Sequence, residues 1–405
     1  MLPVTAQFAL VAAAAVLAPL IVRPLRRFAV PAVIFEITLG IVLGPQVLNL
    51  VSAGEGLETL SELGLCMLMF LAGYELKLSS IRGEPLKLSL VSWFLSVLLA
   101  TVVGLSMHLI GWHGGEVVVA LALTTTAIGT LLPVLRDSGV LTSPLGRYAL
   151  AVGSVAEFGP IALIALFLGG NSILISGLLL LAFALVIYGA ARLASRPWSQ
   201  GVRDALYQGL HSSSQLPVRV TLLFIIILVF IAGQLGLDVL LGAFAAGVIV
   251  RIATSTRDDD TLSESTFATK LEAISFGMLV PVFFVISGTH IDLKSLIGTP
   301  TSWIVVPTFF LLMVAVRGIP VFLTYRTALE PVERVALSVM AATGLPLIVV
   351  ITDIAVRDQA ISTADAAAMV AAGMLSVMLL PSASLALLGR AHPVPKVNAE
   401  PADRL

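Results

Sequence analysis

Residues 116–135 read EVVVALALTTTAIGTLLPVL, an apolar run that threonines, a glycine and a proline interrupt near its middle. About 20 mostly apolar residues cross the hydrocarbon core of a bilayer as one helix. Proline removes a backbone hydrogen bond from a helix, and threonine hydroxyls can satisfy the groups that this frees. The stretch therefore predicts a membrane-spanning helix with a break formed by Thr124, Thr125, Thr126, Gly129 and Pro133.

A second apolar run, 335–352, carries the same ingredients. Residues 341–346 read AATGLP, which places Thr343, Gly344 and Pro346 in mid-span. For one helix alone, an ordinary kink would be the simpler interpretation. Two such helices at equivalent positions of a repeat favour crossed, unwound segments that line a polar cavity.

The composition is that of a chain that crosses lipid many times. Hydrophobic residues occupy 58% of the 405 positions and charged residues only 12%, which is too little charge to cover a soluble domain of this size. A net charge of -1 excludes a nucleic-acid binder driven by basic charge. We therefore expect an all-α polytopic membrane protein whose partner is the lipid bilayer.

Polar or Gly/Pro breaks divide the chain into thirteen candidate spans, of which the short ninth could merge with the eighth. Of the 23 lysines and arginines, only Lys294 and Arg357 fall in outer loops if the N-terminus is outside, and Arg317 lies within a span. The positive-inside rule thus predicts a multi-pass protein of the cell (inner) membrane with its N-terminus outside and its C-terminus in the cytoplasm. The spans are 6–22, 29–50, 58–76, 88–110, 116–135, 146–168, 172–191, 220–235, 237–250, 271–289, 302–322, 335–352 and 364–388.

Two local similarities recur seven helices apart. LAGYELKL at 71–78 and ISGTHIDLK at 286–294 each place a glycine shortly before an acidic-Leu-Lys turn, and a glycine pair in span 2 matches one in span 9. A shift of seven helices reverses direction across the membrane, so we expect inverted repeats, which are typical of secondary transporters with a mid-membrane site. The predicted units are a first six-helix repeat (1–170), a linker helix and cytoplasmic connection (171–219), a second six-helix repeat (220–390) and a short cytoplasmic tail (391–405).

Glu157 and Arg317 are the charges that lie deepest in the predicted spans. A charge in hydrocarbon costs at least ~2.5–3.5 kcal/mol on insertion scales, so both should face the bundle interior. A structural ion pair is the alternative for each. A carboxylate that binds a proton or a monovalent cation, but not both, produces obligatory exchange. Ser154 and Thr124–Thr126 could supply the hard oxygen ligands that a cation at Glu157 needs.

Several stretches in both halves resemble the monovalent cation:proton antiporter superfamily, particularly its bacterial branch of Kef-type and Na+/H+ exchangers. The matches occur in order and cover nearly the whole membrane domain. They are IFEITLG at 34–40 with LGP at 43–45, FLAGYEL at 70–76, TTTAIGTLLP at 124–133, LGAFAAG at 241–247 and PVFFVISG at 281–288.

The resemblance implies a homodimer in which spans 1–3 and 8–10 form the scaffold and spans 4–6 and 11–13 form a mobile, elevator-like core. The acidic pair of the family falls on Ala156 and Glu157, and its basic residue best matches Arg317 as charge partner. One carboxylate without its acidic neighbour resembles electroneutral members. The resemblance also implies transported Na+ or K+ and H+ with no cofactor, and we expect no counterpart here of the regulatory nucleotide-binding domain of Kef-type systems.

Four other function classes stay open or are disfavoured. A proton- or sodium-coupled carrier of an organic anion would prefer more polar residues around the broken helices. A channel would need a continuous polar stripe, and a non-transporting sensor is the remaining membrane alternative. An enzyme is disfavoured because the spans contain no nucleophile–base constellation, metal cluster or phosphate loop.

Overall fold

The computed structural model describes residues 2–23, 31–52, 54–75, 83–109, 115–128, 131, 135, 138–167, 173–194, 201, 208–210, 212–235, 237, 239–255, 261–291 and 302–391. Within these ranges every element of secondary structure is helical. A chain in lipid requires this, because each backbone polar group must find its hydrogen-bond partner within the protein.

The helices follow one another along the chain with two short 3-10 turns, Val140–Thr142 and Tyr325–Thr327. Two helices contain a π-helical turn: α10 comprises Thr261–Ile274, Ser275–Leu279 and Val280–Thr289, and α11 comprises Ser302–Met313, Val314–Gly318 and Ile319–Thr324. The twelfth is broken into α12a (Pro331–Ala341) and α12b (Pro346–Arg357). The others are α1 (Val4–Val22), α2 (Ala32–Leu43), α3 (Glu55–Glu75), α4 (Glu84–Leu109), α5 (Glu116–Leu123), α6 (Pro144–Phe167), α7 (Ile173–Ala194), α8 (Leu216–Gln234), α9 (Val239–Ser255) and α13 (Thr363–Ala391).

The polytopic all-α class is confirmed. Ten helices within the described ranges are long and apolar enough to cross a membrane, and α2 and α9 are shorter apolar helices. Each predicted span overlaps a described helix, and α8 and α9 are separate elements. The count of thirteen spans, the orientation, the repeat units and the cytoplasmic tail stay predictions.

Several predicted boundaries were wrong. Helix α8 begins at Leu216 instead of 220, with Pro217 in its first turn, where a missing backbone N–H does no harm. Helix α2 ends at Leu43 instead of 50, because Pro45 follows and disfavours helical geometry in Gly44 before it. Helix α10 begins at Thr261, ten residues before the predicted start at 271, and its first turns are polar.

Two helix crossings depend on a glycine from each of the two helices. A Cβ built on Gly40 of α2 would lie 2.0 Å from a backbone oxygen of α10, and one built on Gly288 of α10 would lie 2.2 Å from a backbone oxygen of α2. The same reciprocal contact joins Gly73 of α3 and Gly247 of α9, at 2.2 and 2.0 Å. The helices therefore approach more closely than any larger residue allows. The predicted repeat pairs α2 with α9 and α3 with α10, so these two crossings would be equivalent under it.

The packing divides the described helices into two bundles. In the first bundle, α2 packs against α1 and α10, while α9 packs against α3 and α8. In the second bundle, α4 packs against α5, α6 and α11, and α13 packs against α11, α12a and α12b. The two halves of the second bundle also meet where α12a contacts α6 and α12b contacts α5. The predicted site residues that the structure describes belong to this second bundle.

Candidate functional site

Helical structure is interrupted at two places among the described residues, after α5 and between α12a and α12b. Helix α5 ends at Leu123, and the Thr124 and Thr125 hydroxyls each donate to the carbonyl three residues earlier, those of Leu121 (2.7 Å) and Ala122 (2.8 Å). The hydroxyls thus bond carbonyls at the end of the helix, as the sequence predicted. Gly129 and Pro133, which were predicted to belong to this break, lie outside the described residues.

The second break separates α12a, which ends at Ala341, from α12b, which begins at Pro346. Thr343 and Gly344 lie between them and are non-helical. Proline suits the first turn of α12b because it has no N–H to leave unpaired there. The Thr343 side chain is fully buried, and its hydroxyl has no hydrogen-bond partner among the described residues.

Three consecutive amides of the first break hold the site together. The Thr126 N–H donates to the carbonyl of Ala156 (3.1 Å), and the Ala127 N–H donates to the carbonyl of Thr343 (2.8 Å). The next amide, that of Ile128, donates to the carboxylate of Glu157. Adjoining peptide groups therefore bind the second break and Glu157, which brings residues from α5, α6 and α12 to one place.

Glu157 lies in the middle of α6 and is 5% exposed. Gly153, one turn earlier, lets the first break approach: a Cβ built there would lie 2.6 Å from Ile128 Cδ1. Ser154 is half-buried on the same helix. Glu75, at the end of α3, lies close enough to Glu157 for the two charges to interact.

Arg317 lies in the π-helical turn of α11 and is 1% exposed. Its Nε donates to Thr126 Oγ1 and its Nη1 to Ser96 Oγ, both at 3.0 Å. The Thr126 hydroxyl in turn donates to the carbonyl of Ala341 at 2.5 Å. No ion pair joins Arg317 to Glu157, both of which the structure describes. The predicted role of Arg317 as charge partner therefore stays a prediction, and the observed contacts tie it to the C-terminal end of α12a.

Sequence reasoning missed two buried serines that complete this arrangement, Ser96 and Ser376. Ser376 of α13 contacts the backbone of Gly344 in the second break. For Ser96 a signal existed: Ser89, Ser92 and Ser96 recur at helical spacing and are 1%, 0% and 0% exposed along α4. A polar stripe on one face of an apolar helix indicates a helix that faces other helices and not lipid.

A cleft opens elsewhere, between α3, α10, α12b and α13. Three contacts between charged or titratable side chains line it: Glu58 with His290 (3.0 Å), Arg357 with Asp353 (2.7 Å) and Arg357 with Glu62 (3.9 Å). The lining includes neither Glu157 nor the residues of the two breaks. By the predicted orientation this cleft faces the outside.

Comparison with known proteins shows which family the chain is similar to. The model of the sodium/hydrogen exchanger transmembrane family matches residues 12–388. YjbQ of Bacillus subtilis, a candidate Na(+)/H(+) antiporter, is 27% identical over 316 residues, 73% of this chain and 49% of that protein. The Na(+)/H(+) antiporter NhaS4 of Synechocystis is 27% identical over 361 residues, 80% of this chain and 83% of that protein. The chain thus spans about half the length of YjbQ and most of NhaS4.

The fold is similar to that of a solved antiporter. The sodium proton antiporter MjNhaP1 of Methanocaldococcus jannaschii superposes with a TM-score of 0.64 over 94% of this chain and 98% of its own, at 15% sequence identity. At that identity the likeness shows the fold alone. It agrees with the all-helical architecture described above.

Proposed function

We propose that this chain, which belongs to the sodium/hydrogen exchanger family, exchanges protons for a monovalent cation, Na+ or K+, across the cell (inner) membrane. One observation carries the proposal: the Glu157 carboxylate is almost fully buried and accepts the Ile128 amide at the break of α5. A buried mid-membrane carboxylate beside unwound backbone is the arrangement that cation-coupled transporters use.

Exchange follows from competition at Glu157. A bare carboxylate is costly to move through a low-dielectric interior, whereas either a proton or a cation neutralises it. The two cannot occupy the carboxylate together, so each crossing carries one or the other. Near the break, the hydroxyl oxygens of Thr124 and Thr125 donate to backbone carbonyls and retain lone pairs for a cation. Ser154 supplies a further hydroxyl on α6.

Arg317 has a different part in this mechanism. Its guanidinium is bonded to Thr126 and Ser96, so Glu157 is left available to the cargo. A positive charge near the C-terminal end of α12a is also favourable for the helix dipole. One carboxylate that takes up one proton or one monovalent cation moves the same charge in both directions, so we propose one-for-one, electroneutral exchange.

Alternating access would come from displacement of one bundle against the other. The bundle of α4–α6 and α11–α13 holds Glu157 and both breaks, whereas the bundle of α1–α3 and α8–α10 packs through close glycine contacts. We propose that the first moves as an elevator-like core and that the second is the scaffold of a homodimer. Rigid crossings such as that of Gly40 and Gly288 suit a stationary scaffold.

The test is cation-driven dissipation of a preset pH gradient in proteoliposomes. Wild type should release the gradient on addition of Na+ or K+, and Glu157→Gln should lose this activity, because an amide can neither bind a proton at neutral pH nor neutralise a cation. Clamping the membrane potential at zero should leave the rate unchanged if the exchange is electroneutral.

Glu36→Gln is the matched control. Glu36 is also a buried carboxyl within an apolar helix, at 6% exposure, but it lies in α2, away from the breaks. Loss of exchange in Glu157→Gln with retention in Glu36→Gln supports the site. Equal loss in both variants would mean that any buried carboxyl is needed, and the assignment to Glu157 would fail. A wild type that moves no protons with any monovalent cation would overturn the exchange itself and favour the organic-anion carrier.

A further inference from the structure

Ser376 replaces a helical hydrogen bond that the break in α12 removes. In a continuous helix the Gly344 N–H would pair with the carbonyl of Met340. That carbonyl instead accepts the N–H of Thr343 (3.1 Å). The Gly344 N–H donates to Ser376 Oγ, also at 3.1 Å. A fully buried amide without a partner is costly, so Ser376 is what allows the chain to stay unwound at this position.

The same hydroxyl contacts both the N–H and the carbonyl of Gly344. Ser376 Oγ donates to the carbonyl of Gly373 on its own helix (2.7 Å) and lies 3.1 Å from the carbonyl of Gly344. Gly373 makes room for this contact, because a Cβ built there would lie 3.0 Å from the Gly344 oxygen. Helix α13 therefore docks on the second break through a glycine and a serine that are three residues apart.

Gly344 in turn lies against the first break. A Cβ built on it would lie 2.9 Å from Thr125 Oγ1. The preceding residue, Thr343, accepts the Ala127 N–H, and the adjoining Ile128 amide binds Glu157. A shift of Gly344 would thus move the Thr125 hydroxyl and the backbone amides of Ala127 and Ile128, the second of which bonds Glu157.

We propose that Ser376 is a positioning residue for cation binding: it fixes Gly344 against Thr125 and so sets the spacing of the oxygen ligands that distinguish Na+ from K+. This inference rests on the proposed exchange at Glu157. Selection between cations of the same charge depends on ligand distance and on the rigidity of the site. Ser376 reaches no ligand position itself and acts through the backbone of Gly344.

Helix α13 offers a matched control, Ser384. It is also 0% exposed and also donates to a backbone carbonyl of α12a, that of Ala336, at 2.9 Å. Ala336 lies inside a regular helix, away from the break. Ser376→Ala and Ser384→Ala therefore each remove one buried hydroxyl from the same helix, and only the first removes a contact with the break.

The experiment measures initial exchange rates in proteoliposomes against Na+, K+ and Li+. Loss of the Gly344 partner should raise the KM for the preferred cation about tenfold in Ser376→Ala, equivalent to about 1.4 kcal/mol. The ratio of the KM values for Na+ and K+ should change with it, while kcat changes little. Ser384→Ala should keep the wild-type KM and selectivity, and Ser376→Thr, which retains the hydroxyl, should restore them in part.

The outcomes separate the two proposals. The positioning role would be overturned if wild type and Ser384→Ala exchange normally and Ser376→Ala has the wild-type KM and the wild-type ratio of KM values for Na+ and K+. That result would leave the proposed exchange intact. Equal KM changes in both alanine variants would make Ser376 merely structural. If Ser376→Ala does not fold, Ser376→Cys, with its weaker hydrogen bonding, takes its place: a raised KM supports the role and wild-type kinetics refute it. Wild type without exchange would overturn the proposed function instead.

Discussion

The bond between Arg317 and Thr126 makes a quantitative prediction about stability. Thr126→Val has nearly the same shape but removes the hydroxyl that accepts Arg317 Nε at 3.0 Å and donates to the carbonyl of Ala341. Both groups are buried, so each loses a partner that water cannot readily replace. An orphaned buried group costs ~1–3 kcal/mol, so the variant, which orphans two, should be about 2–6 kcal/mol less stable than wild type.

The assay is equilibrium unfolding in detergent micelles, with Thr101→Val as the control. The Thr101 hydroxyl is exposed and bonds only the carbonyl of Val97 on its own helix, at 2.8 Å. Its removal should change the free energy of unfolding by no more than about 0.5 kcal/mol. A double-mutant cycle of Thr126→Val with Arg317→Met should give a coupling energy of about 1.5–3 kcal/mol, as for a hydrogen bond to a charged group.

Two results would refute this reasoning. If Thr126→Val costs no more than Thr101→Val, the hydroxyl does not hold the break. If the two substitutions in the cycle add independently, Arg317 does not act through Thr126, and its contact with Ser96 must account for its burial.

Two further predictions concern the breaks and the pH dependence. Gly344→Ala should lower the free energy of unfolding by about 1–3 kcal/mol, because the added Cβ would lie 2.9 Å from Thr125 Oγ1. Gly277→Ala is the control and should leave the free energy of unfolding unchanged, because a Cβ there has no atom within 4 Å. Equal effects of the two substitutions in thermal unfolding would exclude overpacking as the cause. If a proton and a cation compete for Glu157, the apparent KM for the cation should rise about tenfold per pH unit of acidification once the proton dominates, at constant maximal rate. Initial rates across a pH series measure this, and a falling maximal rate at fixed KM would contradict competition.

Local chemistry explains what the sequence could predict. The helix breaks can be predicted from short stretches of sequence, because their causes are local. The Thr124 and Thr125 hydroxyls bond backbone carbonyls three residues earlier, and Pro346 lacks a backbone N–H. Glu157 and Arg317 stand out because charge in an apolar span is expensive. The all-α membrane class follows from composition in the same direct way.

Long-range contacts explain what the sequence could not predict. The Ala127 N–H donates to the carbonyl of Thr343, which is 216 positions further along the chain. Every residue type has a backbone carbonyl, so the sequence cannot indicate such a bond. Ser96 and Ser376 escaped notice because serine is common in membrane helices and usually bonds its own backbone. The resemblance implied a charge-partner role for Arg317, but it could not indicate that Arg317 bonds two neutral hydroxyls.

Glu157 and Arg317 have separate partners, which suits the proposed site, where Glu157 would bind and release a proton or a cation. Arg317 bonds Thr126 and Ser96, neither of which would change its charge if a proton or cation bound at Glu157, as proposed. Had Arg317 paired with Glu157, cargo binding would have had to break that ion pair and leave a buried guanidinium unpaired, at a cost of about 3–5 kcal/mol. With the observed contacts, loading Glu157 in the proposed exchange would change its contact with the Ile128 amide and its charge interaction with Glu75, and would leave Arg317 paired. The bonds of Arg317 to Thr126 and Ser96 would then persist through both halves of the proposed cycle.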